Sequence, residues 1–212
     1  MTSVYLIRHG EYIDDQVNGQ GPKLDLGLSA DGRNQAHALK ARLAASRELR
    51  PDVFLSSPQR RALETADVIA EAFAQAVTPD KDLEEWRSDD GTVDSDEFMV
   101  QWKSLSELQR PFHRFVAGCE TGIEFSTRVH TALNRIVTQH AGKTVALMTH
   151  GGFIQVAFQY FFGYGDATFR RAYPAAGHTS ITHWRKEAGT ERWVLESSND
   201  RHHLQSAVQP FH

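Results

Sequence analysis

Three short segments of this sequence combine histidine, arginine and glycine, the residue types that hold and transfer phosphate. They read Arg-His-Gly-Glu at 8–11, Ser-Pro-Gln-Arg-Arg at 57–61 and His-Gly-Gly at 150–152. Arginine binds phosphate through two parallel charge-assisted hydrogen bonds, and glycine lets the backbone approach an anion closely. A histidine can attack phosphorus when one ring nitrogen is deprotonated and the other is held by a hydrogen bond. The three segments therefore predict a phosphate site in which a histidine can act as nucleophile.

Each of these segments follows a predicted strand. Apolar runs predict buried strands at 4–7, 52–56 and 144–149, and two later strands at 180–184 and 192–196. Helical periodicity predicts helices at about 30–46, 58–74, 98–108, 124–140 and 153–162. Ser29 and Ser57 are the expected N-caps of the first two helices, with Pro58 at the first helical position of the second.

The alternation of strands and helices predicts an α/β fold, a three-layer sandwich with a mostly parallel central sheet and helices on both faces. The two strands near the C-terminus could include an antiparallel edge. Ligands of such sheets bind outside the carboxyl ends of the strands, so we expect the three segments to converge on one crevice.

The composition is that of an ordinary single domain, spanning 1–212. Of the 212 residues, 40% are hydrophobic and 24% are charged, which excludes a disordered chain, a collagen-like repeat and a coiled coil. The net charge of −4 gives no general attraction to nucleic acid. The single cysteine, Cys119, excludes an internal disulfide and a multi-cysteine zinc site.

Two further features bear on location and cofactors. The sequence shows no targeting segment, and its charge-free stretch at 144–165 is interrupted by His-Gly-Gly, which argues against a membrane span. We therefore expect a cytoplasmic protein with no membrane partner. Neither a Walker-type loop nor a Rossmann glycine pattern occurs, so no nucleotide cofactor is implied.

Two adjacent arginines compete for the phosphate in the second segment. Arg60 shares a polar helix face with Glu64, its i,i+4 partner, as a solvated residue does. Arg61 lies about 100° further around the helix, toward Thr65 and the buried side. The spacing therefore selects Arg61 as the phosphate ligand and leaves Arg60 at the rim.

These segments resemble, in order, the motifs of the histidine phosphatase superfamily, also called phosphoglycerate mutase-like. Residues 8–11 resemble its signature, and 57–66 resemble its Ser-Pro-x-x-Arg-Ala-x-x-Thr-Ala motif. Leu-Glu-Glu at 83–85 resembles its Leu-x-Glu acid segment, and Thr-His-Gly-Gly at 149–152 resembles its second-histidine motif. Weaker matches are Leu-Ser-Ala-Asp-Gly at 28–32 and Arg128 downstream of Glu120. The resemblance spans about residues 3 to 204.

The resemblance implies a metal-independent, two-step phosphoryl transfer. His9 is expected to attack phosphorus and form a phosphohistidine, while Arg8, Arg61 and His150 hold the phosphoryl oxygens. Glu85 is expected to protonate the leaving oxygen and then to take a proton from water. Since the arginines neutralise the charge, no metal or other cofactor is implied.

Several positions of the site are less sharply defined. Periodicity cannot separate Glu84 from Glu85, and only the Leu-x-Glu pattern selects Glu85. Gly10 and Gly151 are expected beside the substrate, and His178 is either a residue supporting the site or a plain turn residue.

The loop after the nucleophile departs from the family pattern. Mutase-type members carry an asparagine six residues after the nucleophile, where this chain has Asp15. An acidic residue repels phosphate, so we expect Asn18 or Gln20 to donate to the substrate instead.

The segment 86–122 is the expected cap over the site. The stretch from Glu85 to His150 is shorter than in dimeric mutases of the family, which favours a phosphatase acting on a phosphomonoester. The alternatives are mutase-type transfer, a phosphoprotein-binding module and a phosphoprotein phosphatase. The expected partners are thus a small phosphate ester or a phosphoprotein, in a monomer or a homodimer.

Overall fold

The chain alternates strands and helices along most of its length, as the hydrophobic pattern predicts. A computed structural model describes residues 1–14, 25–90, 93, 95–163 and 172–204. The strands are β1 (Ser3–Arg8), β2 (Tyr12–Asp14), β3 (Asp25–Leu28), β4 (Val53–Ser56), β5 (Thr78–Pro79), β6 (Thr144–Thr149), β7 (Ile181–Lys186) and β8 (Trp193–Asp200). The helices are α1 (Ala30–Ser46), α2 (Arg60–Phe73), α3 (Ser95–Ser104), α4 (Gly122–Gln139) and α5 (Gly151–Phe162), with 3₁₀ helices at Lys81–Leu83, Arg110–Phe112 and His202–Leu204.

The central sheet has the strand order β5-β4-β6-β1-β7-β8. The strands β5, β4, β6 and β1 are parallel, whereas β7 and β8 pair antiparallel at one side. This confirms the predicted mostly parallel sheet with an antiparallel edge. The register of β1 and β6 places Arg8 opposite Thr149. As a result His9 and His150, each one residue beyond the end of its strand, lie side by side at the edge of the sheet.

Helices cover both faces of the sheet. Successive side chains of a strand point to opposite faces, so an apolar strand presents apolar side chains on both. Leu6 of β1 lies in one apolar cluster with Leu133 of α4 and with residues of α5. Ile7, the next residue, lies in a second cluster with Leu39 of α1 and Ile69 of α2. The three-layer arrangement predicted from the sequence is confirmed.

The start of α2 differs from the prediction. The helix begins at Arg60 rather than Pro58, and Ser57 is not its N-cap. Instead, the carboxylate of Asp25 accepts a hydrogen bond from the backbone N–H of Arg61 in the first turn, at 3.1 and 3.2 Å. The predicted cap is wrong because the acceptor comes from β3, far away in the sequence.

Other boundaries follow local signals more closely. Ser29 caps α1 as predicted, with its Oγ accepting from the amide of Gly32 at 2.9 Å. Thr121 and Glu124 form a capping box that starts α4 two residues before the predicted position. Helix α5 also starts two residues early. Helix α3 starts three residues and ends four residues before its predicted bounds. The short strands β2, β3 and β5 were not predicted, since two to four residues carry too little periodicity.

The described part of 86–122, the expected cap, is organised around aromatic side chains. Phe115 packs on Phe98, Trp102 and Trp86 with ring centroids 4.5, 5.6 and 6.0 Å away. Trp86 directly follows Glu85, so this aromatic group begins at the predicted acid. That the segment covers the site stays a prediction. Among the described helices, none combines the length and apolar character that a membrane crossing requires.

Candidate active site

The ring of His9 is held at the end of β1 in one orientation. The side chain is buried, and its Nδ1 lies 2.6 Å from the carbonyl oxygen of Gly10. Its Nε2 lies 3.2 Å from Nε of Arg61. A carbonyl only accepts and a guanidinium only donates, so Nδ1 carries the proton and Nε2 keeps its lone pair. This is the tautomer that a nucleophilic Nε2 needs.

The electrostatic surroundings also keep this ring neutral. Burial and the charge of Arg61 hold the pKa of His9 well below its usual value. The Gly10 carbonyl acts in the opposite direction, and Arg8 and His178 lower the pKa further. The neutral form therefore prevails at neutral pH, and the lone pair of Nε2 accepts the hydrogen bond from Arg61 Nε.

Three neighbours besides His9 fix the Arg61 guanidinium. Its Nη1 lies 3.0 Å from Asp25 Oδ2, and its Nη2 lies 2.7 Å from Gln59 Oε1. The guanidinium also stands 4.6 Å above the centre of the Tyr12 ring. With 11% of its side chain exposed, Arg61 is the buried arginine of the pair, as its helix position predicts.

Arg60 takes the other position that the sequence predicts for it. Its side chain is 62% exposed and pairs with Glu64 at 2.7 Å, one helical turn away. Glu64 in turn accepts from the backbone amide of Leu28 at 2.7 Å. The predicted exposure of Arg60 and burial of Arg61 are therefore confirmed, while the contact of Arg61 with phosphate stays a prediction.

His150 is fully buried beside His9, with the two ring centroids 5.0 Å apart. Its Nε2 lies 2.8 Å from the hydroxyl oxygen of Ser57, the residue predicted as a helix cap. Burial, together with His9 and Arg61, holds the pKa of His150 well below its usual value. Its Nδ1 is buried and has no hydrogen-bond partner among the described residues.

Arg8 lies against the start of α5. Its Nη1 donates to the carbonyl of Ala176 at 2.5 Å, whereas its buried Nε has no partner among the described residues. Burial lowers the pKa of Arg8, and the charge of Glu85 opposes that shift. A β-carbon added to Gly151 would stand 3.5 Å from Nε and Cζ of Arg8, which places Gly151 in contact distance of this guanidinium.

Glu85 reaches the N-terminus of α5. Its Oε2 accepts from the amide of Gly152 at 2.9 Å, and its Oε1 accepts from the amide of Trp86 at 3.1 Å. Helix N-termini favour a negative charge at this position. Glu84 instead pairs with Arg87 at 2.6 Å. The structure thus brings Glu85, and not Glu84, to the site.

The segment before β7 closes another side of the site. The His178 ring lies 5.7 Å from that of His9, and its pKa is lowered to about 4 by burial and by Arg8 and Arg201, against Glu11. Thr179 follows with φ of 55°, a left-handed conformation that is unusual for a β-branched residue. Of the two readings of His178, the structure supports the one in which it flanks the site, although it also lies in a turn.

Two predicted contacts have a different outcome. The amide of Gly10 donates to Thr65 Oγ1 at 3.0 Å, and its carbonyl accepts from His9, so both its backbone groups are used within the protein. Its lack of a side chain serves packing, because a β-carbon would stand 2.7 Å from the carbonyl oxygen of Gly32. Asn18 and the neighbouring Asp15 and Gln20 lie outside the described residues.

Sequence reasoning missed two charged residues of this region. Asp25 belongs to none of the motifs found in the sequence, yet it orients Arg61. Arg201, just after β8, packs on Gly177, where a β-carbon would overlap its side chain, and it lowers the pKa of Arg8. No local signal marks Arg201, because its position depends on how β8 ends beside β7.

Comparison with known proteins identifies relatives that align with nearly the whole chain. The phosphoglycerate mutase-like protein 4 of Arabidopsis thaliana is 29% identical in an alignment 214 residues long. The alignment covers 95% of this chain and 86% of the relative. The metal-independent phosphoserine phosphatase of the same plant is 25% identical, over 97% of this chain and 84% of the relative.

Solved structures share the fold. A mycobacterial glucosyl-3-phosphoglycerate phosphatase superposes with a TM-score of 0.72 at 23% identity, over 93% of this chain and 98% of that one. A phosphoserine phosphatase of Entamoeba histolytica superposes with a TM-score of 0.71 at 22% identity, over 96% and 100%. The family model of the histidine phosphatase superfamily, branch 1, matches residues 4–201. The chain therefore belongs to branch 1 of the histidine phosphatase superfamily.

Proposed function

We propose that this chain is a metal-independent phosphatase that hydrolyses a phosphomonoester through a phosphohistidine on Nε2 of His9. The observation that carries the proposal is the fixed tautomer of His9. Nδ1 is bound to the Gly10 carbonyl, and the lone pair of Nε2 lies beside the Arg61 guanidinium. A neutral imidazole with a fixed orientation, next to a phosphate-binding cation, is what nucleophilic attack on phosphorus requires.

In the first step, the lone pair of His9 Nε2 attacks phosphorus while the bond from phosphorus to the ester oxygen breaks. Arg8, Arg61 and His150 hold the three remaining oxygens and offset the charge that develops on them. Arg61 Nε, which donates to His9 in the free protein, turns to a phosphoryl oxygen. The imidazolium that forms keeps its Nδ1–H on the Gly10 carbonyl, whose dipole stabilises the positive charge.

Glu85 supplies the proton that the leaving oxygen takes up in this step. A carboxyl group donates only when it is protonated, and a bound phosphate dianion nearby favours that form. In the second step a water attacks the phosphohistidine, and the Glu85 carboxylate takes its proton. The bond between nitrogen and phosphorus breaks, orthophosphate leaves, and His9 recovers its lone pair.

Hydrolysis is favoured over transfer to a second substrate by the named activities of two relatives. The phosphoserine phosphatase and the glucosyl-3-phosphoglycerate phosphatase are both hydrolases acting on phosphate esters. A phosphoglycerate mutase-like relative keeps mutase-type transfer as the second candidate. The phosphate ester itself, a small molecule or a phosphoprotein, stays open. The cytoplasmic location and the monomeric or homodimeric state also stay predictions.

Hydrolysis of 4-nitrophenyl phosphate in the presence of EDTA tests the proposal, with wild type, His9→Ala and His183→Ala in parallel. His183 is a matched control, since it stacks on Tyr5 in the sheet and is in contact with none of the described site residues. We expect EDTA-resistant turnover in wild type and in His183→Ala, and none in His9→Ala. Acid-labile, base-stable labelling of wild type by a ³²P-phosphomonoester would identify the phosphohistidine.

Three outcomes argue against the proposal. Turnover that EDTA abolishes contradicts a metal-independent mechanism. Turnover that persists in His9→Ala contradicts His9 as the nucleophile. Labelled protein that returns its phosphate to an added sugar acid, and not to water, favours the mutase.

A further inference from the structure

The loop that carries Glu85 is held by Arg128 of α4, whose hydrogen bonds within the described part of the chain go to Glu120 and to this loop. All five N–H donors of the Arg128 guanidinium are used. Nε and one N–H of Nη2 bond to the Glu120 carboxylate at 2.6 and 2.8 Å. The other three N–H groups bond to the backbone carbonyls of Asp82, Glu84 and Glu85, at 2.9, 3.0 and 3.0 Å. One rigid side chain therefore fixes the backbone on the N-terminal side of the acid.

Glu120 fixes the backbone on the other side. Its Oε2 accepts from the amide of Arg87 at 3.1 Å, and its own amide donates to the carbonyl of Arg87 at 2.8 Å. Its carbonyl accepts from the indole Nε1 of Trp86 at 3.0 Å. Arg128 and Glu120 together thus hold the chain from residue 82 to residue 87, with the predicted acid near the middle.

This pair is largely buried, and it is ionised. The side chains of Arg128 and Glu120 are 10% and 16% exposed. Burial alone would raise the pKa of Glu120, but hydrogen bonds from Arg128 and from the Arg87 backbone lower it overall. Hydrogen bonds between charged groups are shorter and stronger than neutral ones. The planar fork of arginine also cannot be replaced by the point charge of lysine without losing its separate bonds.

The carboxylate of Glu85 depends on this backbone. Its two hydrogen bonds, to the amides of Gly152 and Trp86, form only when residues 85 and 86 lie where Arg128 and Glu120 hold them. A general acid acts only within hydrogen-bond reach of the oxygen that it protonates. A displacement of about 1 Å at such a group can cost on the order of 10²-fold in rate.

We infer that Arg128 and Glu120 are positioning residues for the general acid, an inference that rests on the proposed function. They touch neither the nucleophile nor the phosphate ligands. We therefore expect their main effect on the steps that move a proton at Glu85. These steps are protonation of the leaving oxygen and removal of a proton from the attacking water. The charge of Arg128 also contributes to the lowered pKa of His150, and lysine in its place keeps that charge.

The test compares leaving groups that differ in their need for a proton. 4-Nitrophenolate leaves as a stable anion, whereas an alkoxide must be protonated as it departs. For Arg128→Lys we expect kcat/KM for an alkyl phosphate, glycerol 2-phosphate, to fall on the order of 10²-fold. The value for 4-nitrophenyl phosphate should change little. A burst of nitrophenol followed by slow turnover should also appear, because hydrolysis of the phosphohistidine needs the base.

Arg135→Lys is the matched control on the same helix. Arg135 bonds to the carboxylates of Asp80 and Asp82, at 2.7 and 3.3 Å, and to no carbonyl of the acid loop. We expect it to keep both activities. The double variant Glu85→Gln/Arg128→Lys should be no slower on glycerol 2-phosphate than Glu85→Gln alone, because Arg128 acts through Glu85.

The results separate the inference from the proposed function. Equal losses on both substrates in Arg128→Lys, or a further loss in the double variant, would overturn the positioning role while the phosphohistidine mechanism stands. Circular dichroism and thermal melting verify that Arg128→Lys is folded, and Glu120→Gln offers the same test from the other partner. Absence of turnover in wild type would overturn the proposed function and this inference with it.

Discussion

The guanidinium Nε of Arg61 lies 3.2 Å from Nε2 of His9, the nitrogen proposed to attack phosphorus. Together with the Gly10 carbonyl, this contact sets the tautomer of the histidine. Burial lowers the pKa of His9 most, and the charge of Arg61 lowers it further. The contact also leaves a cation beside the proposed nucleophile. In the free protein Arg61 donates a hydrogen bond to this lone pair. In the proposed mechanism, a bound phosphate dianion gives the guanidinium a better acceptor and so frees the nucleophile.

Asp25 determines where Arg61 stands. Its carboxylate accepts one hydrogen bond from Nη1 and a bifurcated one from the single backbone N–H of Arg61. Asp25→Asn should lower kcat/KM for 4-nitrophenyl phosphate on the order of 10-fold or more, since a hydrogen bond to a charged group contributes about 1.5–3 kcal/mol. The inhibition constant of orthophosphate should rise with it, because the lost contact serves oxyanion binding.

A suitable control for that variant is Asp52→Asn. Asp52 accepts from the amide of Thr144, at the start of β6 and away from the site. Unchanged phosphate inhibition in Asp25→Asn would contradict the role assigned to Asp25 and leave it only as the cap of α2.

Ser57 supports His150 rather than starting a helix. Its hydroxyl is the one hydrogen-bond partner of the His150 ring among the described residues, at 2.8 Å. Ser57→Ala should destabilise the fold by about 1–3 kcal/mol, since it leaves a buried polar group without a partner. It should also weaken orthophosphate binding, as the His150 ring loses its fixed orientation.

The neighbouring serine provides the comparison. Ser56 is equally buried, but its hydroxyl donates to a backbone carbonyl at 2.9 Å. We expect Ser56→Ala to keep its affinity for phosphate, measured by calorimetry. Similar phosphate affinities in both variants would show that the Ser57 hydroxyl does not orient His150.

What could be predicted from the sequence was mainly what is encoded locally. The cap of α1 by Ser29 needs only the residues beside it, and His9 and His150 follow from the rule that sites lie at strand ends. The cap of α2 was mispredicted because its acceptor, Asp25, is 36 residues from Arg61 in the chain. Such a contact exists only after β3 has packed against α2.

The choice of acid shows the same limit. Two adjacent glutamates in an irregular loop carry no periodicity, so that only the family motif favoured Glu85. In the structure the difference lies in one long-range contact. Glu85 meets the amide of Gly152, which is 67 residues away in the chain, whereas Glu84 pairs with nearby Arg87. Arg201 was missed for the same reason, as its contact with Gly177 joins two ends of different strands.

His178 should make the folded protein sensitive to acid. Its pKa is lowered from 6.5 to about 4, so between these values the unfolded chain binds a proton that the folded chain does not. Stability therefore rises with pH across this window and falls as the pH drops from about 6.5 toward 4. His178→Gln should lose less unfolding free energy than wild type between pH 7 and pH 4.5, measured by urea denaturation.

Replacing an exposed histidine should not have this effect. His37 lies on the outer face of α1, so His37→Gln should follow the wild-type pH dependence. If His178→Gln loses as much unfolding free energy as wild type between pH 7 and pH 4.5, groups other than His178 cause the acid sensitivity.

Two adjacent glycines of α5 separate stability from catalysis. A β-carbon on Gly152 would overlap Oε1 of Glu85, whereas one on Gly151 would stand at an ordinary 3.5 Å from Arg8. The carboxyl group is the free end of a flexible side chain, so Gly152→Ala displaces it at little structural cost. Alanine should even raise the stability of α5, by up to about 1 kcal/mol relative to glycine.

We expect a Gly152→Ala protein that melts no lower than wild type but loses its activity toward glycerol 2-phosphate on the order of 10²-fold. Gly151→Ala should lose distinctly less. If Gly152→Ala hydrolyses the alkyl ester at the wild-type rate, the contact between Glu85 and α5 has no part in placing the acid.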